Sequence, residues 1–390
     1  MALKLDKSQK YLLACSYGPD SMALFAMLKK EGFNFSVAHV NYGLRKEAKL
    51  ETESLQRYCA DLGVELFVHK CCKIDPSLNL EAECRRIRYT FFKKLYNKYE
   101  FDAVLVAHNQ DDLIETFLMQ KNRKSLVNYW GIAEKTNIFD VDVIRPLLDV
   151  IKLSLYNYCK ENHIPFAIDS TNLTNEFERN KIRHNVVEKM NREKRLNVLS
   201  EIEIRNREVR TRIQYLNCLD LNNVKTLLSL DEESFARAMN ILVRRFDRAA
   251  SISMNLAKEL RKVLESSKPN VRVKFNGELF FVKSYDTCTF NGIDHKNYCY
   301  VMKGPSVLDT PYFYANFASG ASDRNVTVND YPLTIRRANA NDTVRIKDYD
   351  VKVRRLFIDW KMPIEMREKW PVIVNRDGEV IYIPRYQKNF

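Results

Sequence analysis

The stretch YLLACSYGPDSMALFAMLKK, residues 11–30, runs from an apolar segment through Gly, Pro, Asp and two serines into a helical pattern. A buried strand followed by a tight turn and an amphipathic helix explains that order. Gly18 permits a close approach or an unusual backbone angle, and Asp20 or Ser21 can cap the helix that begins there. Free amides at a helix start favour an anion. The six residues SYGPDS also suit an ordinary capped turn, so they do not settle the matter alone. No GxxxxGK[ST] run occurs in the chain, which argues against a P-loop NTPase.

Outward from this stretch, the first 170 residues alternate short apolar runs with helical patterns, which predicts α/β architecture with a parallel sheet covered on both faces. Strands are expected at 11–15, 35–40, 64–69, 102–108 and 165–169, and helices at 20–30, 46–62, 79–99, 111–121 and 150–162. Gly32 and Gly63 follow two of those helices, where a left-handed terminating residue belongs. Ligands of such sheets bind beyond the carboxyl ends of the strands, and SYGPDS, HVNYG and AHNQDD all fall there. From 176 to 265 the pattern turns helical, with a basic segment at 179–212. The stretch VRVKFNGELFFVKS then alternates around Asn276-Gly277, a hairpin signal. Residues 290–325 show little periodicity and read as a linker, and PVIVNRDGEVIYIP near the end reads as a second hairpin after a helix at 352–361. The expected organisation is a catalytic domain at 1–195, a mainly helical domain at 196–290 ending in a β-hairpin, and a small α+β domain at 326–390.

With 390 residues, 45% of them hydrophobic, the chain can bury full cores. No apolar run approaches the roughly 18 residues of a membrane span, and MALKLDKSQK lacks the apolar core of a signal peptide, so a cytoplasmic protein is expected. Nine cysteines without regular spacing or a CxxC pair read as reduced thiols and not as a disulfide framework or metal clasp. Lys and Arg number 63 against 50 Asp and Glu, a net charge of +13, which suits a polyanionic partner.

Three further segments carry chemistry. In AHNQDDLIETFLM, Asp112 and Glu115 lie three apart on one helix face at the sheet edge. Magnesium favours one or two such carboxylates together with phosphate oxygens. NLEAECRRIRYTFF places Arg85 and Arg88 on one face, and FERNKIRH does the same for Arg179 and Arg183; guanidinium pairs suit phosphate.

Taken in order, these segments resemble the PP-loop ATP pyrophosphatases and, within them, the tRNA(Ile)-lysidine synthases. SYGPDS is similar to the family's SGGxDS, HVNYGLR to HVNHGLR, AHNQDDLIETFLM to HHADDQxETxLL, and DSTNLTNEFERNKIRH to DxSNxxxxFxRNxIR; RRLFIDWKMPIEMREKWPVIVNRDGEV resembles its terminal domain. The resemblance implies a Rossmann-like PP-loop domain and a reaction with ATP and Mg2+. In it, the wobble cytidine of a CAU-anticodon isoleucine tRNA is adenylated and free L-lysine then displaces AMP, in a monomer or homodimer. It also implies the site residues. Ser16, Tyr17, Gly18, Pro19, Asp20 and Ser21, with His39 and Asn41, are expected to bind ATP. Asp20, Arg88, Asp112 and Glu115 are expected to be catalytic, with Asp20 and Asp112 on the metal and Asp112 and Glu115 also facing the lysine ammonium. Arg179, Asn180 and Arg183 would approach the nucleotide or target base. Arg336, Arg337, Arg345, Lys352, Arg354, Arg355 and Arg367 would contact tRNA phosphates. The chain departs from the family at Tyr17, in place of a glycine, and at Tyr42 and Asn109, in place of histidines. A side chain at 17 would crowd the phosphates unless it points away. Two alternatives stay open: a tRNA-binding protein without turnover, and a PP-loop enzyme acting on another base.

Overall fold

Tyr11, Leu12 and Leu13 are consecutive and fully buried, yet they serve two different cores: Tyr11 and Leu13 pack in one hydrophobic cluster and Leu12 in another. Alternation of side chains across a strand covered on both faces produces this split. These residues belong to β1 (Lys10–Ala14), the centre of the N-terminal sheet. In chain order there follow α1 (Pro19–Glu31), β2 (Asn34–Asn41), α2 (Ala48–Asp61), β3 (Leu66–Lys70), α3 (Leu80–Tyr99), β4 (Ala103–Val106), α4 (Gln110–Asn122), β5 (Lys135–Ile138), β6 (Val141–Ile144) and α5 (Lys152–Glu161). A computed structural model describes residues 3–44, 47–71, 79–123, 126–168, 178–248, 250–292, 297–311, 313–318 and 326–386.

The sheet runs β3-β2-β1-β4-β6-β5, parallel throughout except that β5 pairs antiparallel with β6. Strand order turns around between β1 and β4, which opens a crevice at their carboxyl ends. Gly32 ends α1 at φ 74°, as its place in the sequence predicts. The expected strand at 165–169 does not form among the described residues, and β6 takes the neighbouring place beside β4. Residue 167 instead donates one amide hydrogen bond, at 2.9 Å, to the Tyr17 carbonyl. Beyond α5, the helix Glu178–Ile182 passes into a π-helical turn, Arg183–Val187, before the long helix Arg192–Asn217.

The chain divides into two units, Met1–Thr211 and Arg212–Phe390, so the division falls inside that long helix. The second unit begins with helices Val224–Leu228, Glu232–Arg244 and Met254–Glu265, whose preceding residues Asn223, Asp231 and Ser253 each accept a backbone amide. A three-stranded meander follows over Asn270–Gly292, containing the hairpin expected near Asn276-Gly277. The stretch read as a linker carries the strand Cys299–Met302, which pairs with Leu333–Arg337 in a six-stranded sheet, and a small hairpin, Val307–Asp309 with Tyr314–Asn316. The helix Val353–Asp359 and the hairpin Pro371–Val374 with Val380–Tyr382 stand where the sequence places them.

Candidate active site

At the end of β1 the chain turns sharply into α1. The Ser21 hydroxyl donates to the Gly18 carbonyl at 3.0 Å and accepts the Ser16 amide at 3.3 Å, closing the loop on itself. The expectation that Asp20 or Ser21 caps the helix is therefore corrected: Gly18 is the N-cap residue and makes no side-chain cap, while Pro19 occupies the first turn. The left-handed residue is Tyr17, at φ 65°, and not Gly18, at φ −79°. The Tyr17 ring is buried in the core cluster with Cys15 and Met22, so it faces away from the sheet edge. At that φ a residue with a Cβ carries a strain of about 1–2 kcal/mol.

A cavity of about 300 Å3 opens at the carboxyl ends of β1, β2 and β4. Its apolar lining includes Ala38, Val40, Phe92 and Val106; its polar lining includes Ser16, Asp20, Ser21, Arg88, His108 and Asp112. This combination suits a nucleotide, with a flat apolar wall and a charged rim. Asp20 sits in it with Oδ1 buried and without a hydrogen-bond partner among the described residues. Burial, reinforced by the Asp112 and Asp111 charges and opposed by Lys152 and Arg183, pushes its pKa up to about 6. Such a carboxyl is poised for a cation.

His39 and Asn41 stand behind the loop. The His39 ring is buried, with Nδ1 at 2.9 Å from the Cys15 carbonyl and Nε2 at 3.1 Å from Thr52 Oγ1. Burial keeps it below the ordinary imidazole range. Asn41 Nδ2 donates to the Ala48 carbonyl and Thr52 Oγ1, and its Oδ1 accepts the Gly43 amide. In this structure the polar side-chain atoms of both are bonded to protein and brace the turn behind the loop.

On α4, Asn109 and Asp112 form a reciprocal capping box, so the asparagine that departs from the family pattern starts the helix. Asp112 and Glu115 do share a face, and both are met by arginines. Arg179 donates through Nη2 to Asp112 Oδ1 at 2.8 Å and through Nε to Glu115 Oε2 at 2.9 Å. Arg183 donates through Nε to Glu115 Oε1 at 2.6 Å and through Nη2 to Oε2 at 2.9 Å. Burial opposes the Arg183 charge, but its bonds to Glu115 prevail and hold it protonated. The arginines expected at the nucleotide or target base are engaged with the carboxylates in this structure. The backbone of Asn180 lies in Glu178–Ile182, and its side chain lies outside the described residues.

Two buried arginines of the site carry no signal in the sequence. Arg145 donates from Nε to His108 Nδ1 at 3.0 Å, and burial, with Arg145 also contributing, keeps that imidazole well below its usual range. It follows β6, a strand the apolar pattern does not reveal. Arg195 donates to both oxygens of Asp111 at 2.8 and 3.3 Å, tying the long helix to α4. Among the described residues no group of three or more His, Cys, Asp or Glu is arranged to hold a metal ion, and no helix is long and apolar enough to cross a membrane.

In the second unit, Arg336 grips both oxygens of Asp342 at 2.8 and 2.9 Å, and Arg367 donates to the Met362 carbonyl and the Tyr285 hydroxyl. In this structure both brace the unit internally. Arg337 donates to Asn297 Oδ1. Lys352 and Arg354 are exposed, and Arg345 and Arg355 make open ion pairs with Asp350 and Asp359.

The PP-loop domain model matches residues 1–190. A tRNA(Ile)-lysidine synthase of Mesomycoplasma hyopneumoniae is 36% identical over 184 residues, covering 47% of this chain and 61% of that protein. The Bacillus subtilis enzyme of the same name is 27% identical across 98% of this chain and 91% of its own. The one from Mycoplasma mycoides is 28% identical, covering 97% of each. The closed loop, the cavity at the strand turnaround and these likenesses agree: residues 1–190 form a PP-loop domain, and the chain is similar along nearly its whole length to tRNA(Ile)-lysidine synthases.

Proposed function

We propose that this chain acts in the cytoplasm on an isoleucine tRNA with a CAU anticodon, converting its wobble cytidine to lysidine with ATP and free L-lysine. The C2 oxygen of the base attacks the α-phosphorus of ATP and pyrophosphate leaves. The lysine ε-amine, having lost its proton, then attacks C2, and the C2–O bond breaks to release AMP carrying that oxygen. A ring oxygen becomes a leaving group only once phosphorylated, so activation and positioning share the work.

The observation that carries this reading is the pair of carboxylates, Asp112 and Glu115, facing Arg179 and Arg183 beside a nucleotide-sized cavity. Carboxylates of that kind select a cationic amine as well as a metal. Asp20, with its unsatisfied buried oxygen, fits Mg2+, and Asp112 would join it; the ion would supply positive charge against the triphosphate. Asp112 Oδ1 accepts from Arg179 and Arg183, while Oδ2 accepts the Asn109 amide and keeps a second lone pair that could take up a cation. Ser16 and Ser21, which line the cavity, and the Gly18 amide beside them would hold the phosphates through hydroxyls and amides.

The test is incorporation of radiolabelled lysine into the CAU isoleucine tRNA, with matching AMP release, and none into methionine tRNA. Incorporation into neither, with tRNA binding intact, would instead make this a binding protein.

A further inference from the structure

Tyr42 occupies a position where the resembling family motif has histidine, and its surroundings show what replaces the imidazole. The residue follows β2 directly, in a turn held by the three Asn41 hydrogen bonds and Gly43 at φ 67°. Its hydroxyl lies 3.0 Å from Arg88 Nε and 3.0 Å from the Cys84 carbonyl. The direction of both bonds is forced. A guanidinium Nε–H only donates, so the phenol oxygen accepts there, and its one proton goes to the carbonyl. Burial raises the Tyr42 pKa, so the proton stays on the oxygen.

Cys84 and Arg88 are one helical turn apart on α3, and the phenol bridges them. Arg88 Nε is thereby occupied. No hydrogen bond joins its two terminal nitrogens to any described residue, and Tyr42 and Arg88 both line the cavity. A guanidinium held by Nε presents its terminal pair as a fork, the geometry that binds phosphate through two parallel bonds.

We propose that Tyr42 is a positioning residue that aims the Arg88 fork at the phosphates of ATP. This rests on the functional reading above and names the part of the site that tunes nucleotide affinity. The Tyr42 ring makes no reaction with substrate; it acts through Arg88.

The experiment compares the wild type with Tyr42→Phe and Tyr42→His in lysidine formation, and measures binding of a non-hydrolysable ATP analogue in each. A hydrogen bond to a charged group sets the expected scale. Tyr42→Phe, which removes one oxygen and keeps the ring, is expected to raise KM for ATP and the analogue Kd about 10-fold with a much smaller change in kcat. Tyr42→His, which restores an acceptor for Nε, is expected to recover at least half of that loss on a logarithmic scale. In an Arg88→Ala background Tyr42→Phe is expected to leave analogue binding unaltered. Unchanged nucleotide affinity in Tyr42→Phe, or an equal loss with and without Arg88, overturns the proposal. Failure of the functional reading shows differently: the wild type itself would then bind the analogue yet form no lysidine.

Discussion

Arg183 donates to both oxygens of Glu115, at 2.6 and 2.9 Å, across 68 residues of sequence, and Glu115 is fully buried. With Arg179 on the same carboxylate, every Glu115 oxygen is occupied by a charged donor. A buried pair like this is costly to break from one side, because the remaining partner keeps its charge without compensation.

Glu115→Ala is therefore expected to lower unfolding stability by about 3–5 kcal/mol and to abolish lysine incorporation. The double variant Glu115→Leu/Arg183→Met, which removes both charges at similar volume, should recover most of the stability and none of the activity. Chemical denaturation beside lysine incorporation checks both halves. Recovery of activity in the double variant would show that the pair serves the fold alone.

Asp20 carries a different signature. Its pKa in the folded protein, about 6, lies above the unfolded value of 3.8. Between those values the folded state binds more protons, so the Asp20 contribution is fully present below about pH 4 and is lost as pH rises through 6. Asp20→Asn is expected to be more thermostable than wild type at pH 7.5 by up to about 3 kcal/mol, and at pH 4.5 by only about 1 kcal/mol, while losing ATP turnover. Melting curves of the nucleotide-free protein at the two pH values provide the measurement.

Tyr17 joins strain to burial. Its φ of 65° favours glycine, but its ring is 7% exposed inside the core. Relief of about 1–2 kcal/mol of backbone strain is outweighed by loss of roughly 3 kcal/mol of aromatic burial. Stability should fall in the order wild type, Tyr17→Gly, Tyr17→Ala, since alanine keeps the strain and loses the ring. Because the ring points away from the cavity, KM for ATP of the folded Tyr17→Gly fraction should stay within about twofold of wild type, which steady-state kinetics at low temperature can read.

How far the sequence carries depends on whether a feature is local. β1, β2 and β4 are apolar runs because they are covered on both faces, and such runs are visible without neighbours. β6, Val-Asp-Val-Ile, is four residues with an exposed Asp142, too short and too mixed to separate from a loop. The residues 165–168 look equally strand-like, but their place beside the loop gives them one hydrogen bond to Tyr17 and no ladder. In the site, helical spacing puts Asp112 and Glu115 on one face; no spacing could announce that Arg179 and Arg183 would close on them. The same holds for Arg336 and Arg367, which read as surface charge until Asp342 and Tyr285 are seen opposite them.

That distinction separates the basic residues of the second unit experimentally. Arg354 is exposed and Arg355 is tied only to Asp359 at 3.5 Å with 74% of its side chain open, so each can release counterions on meeting a phosphate. Arg336 cannot do so without leaving Asp342. Replacing Arg354 and Arg355 by Ala is expected to weaken tRNA binding and to flatten the slope of log affinity against log salt by roughly 0.7–0.9 for each phosphate no longer neutralised, with melting temperature unchanged. Arg336→Ala should do the reverse, lowering the melting temperature while leaving the salt slope of the folded protein as it is, because it strands Asp342 partly buried. Filter binding over a salt series, paired with thermal denaturation, reads both. An unchanged slope in the Arg354/Arg355 variant would mean that this face carries solvated charge and that the phosphates lie elsewhere.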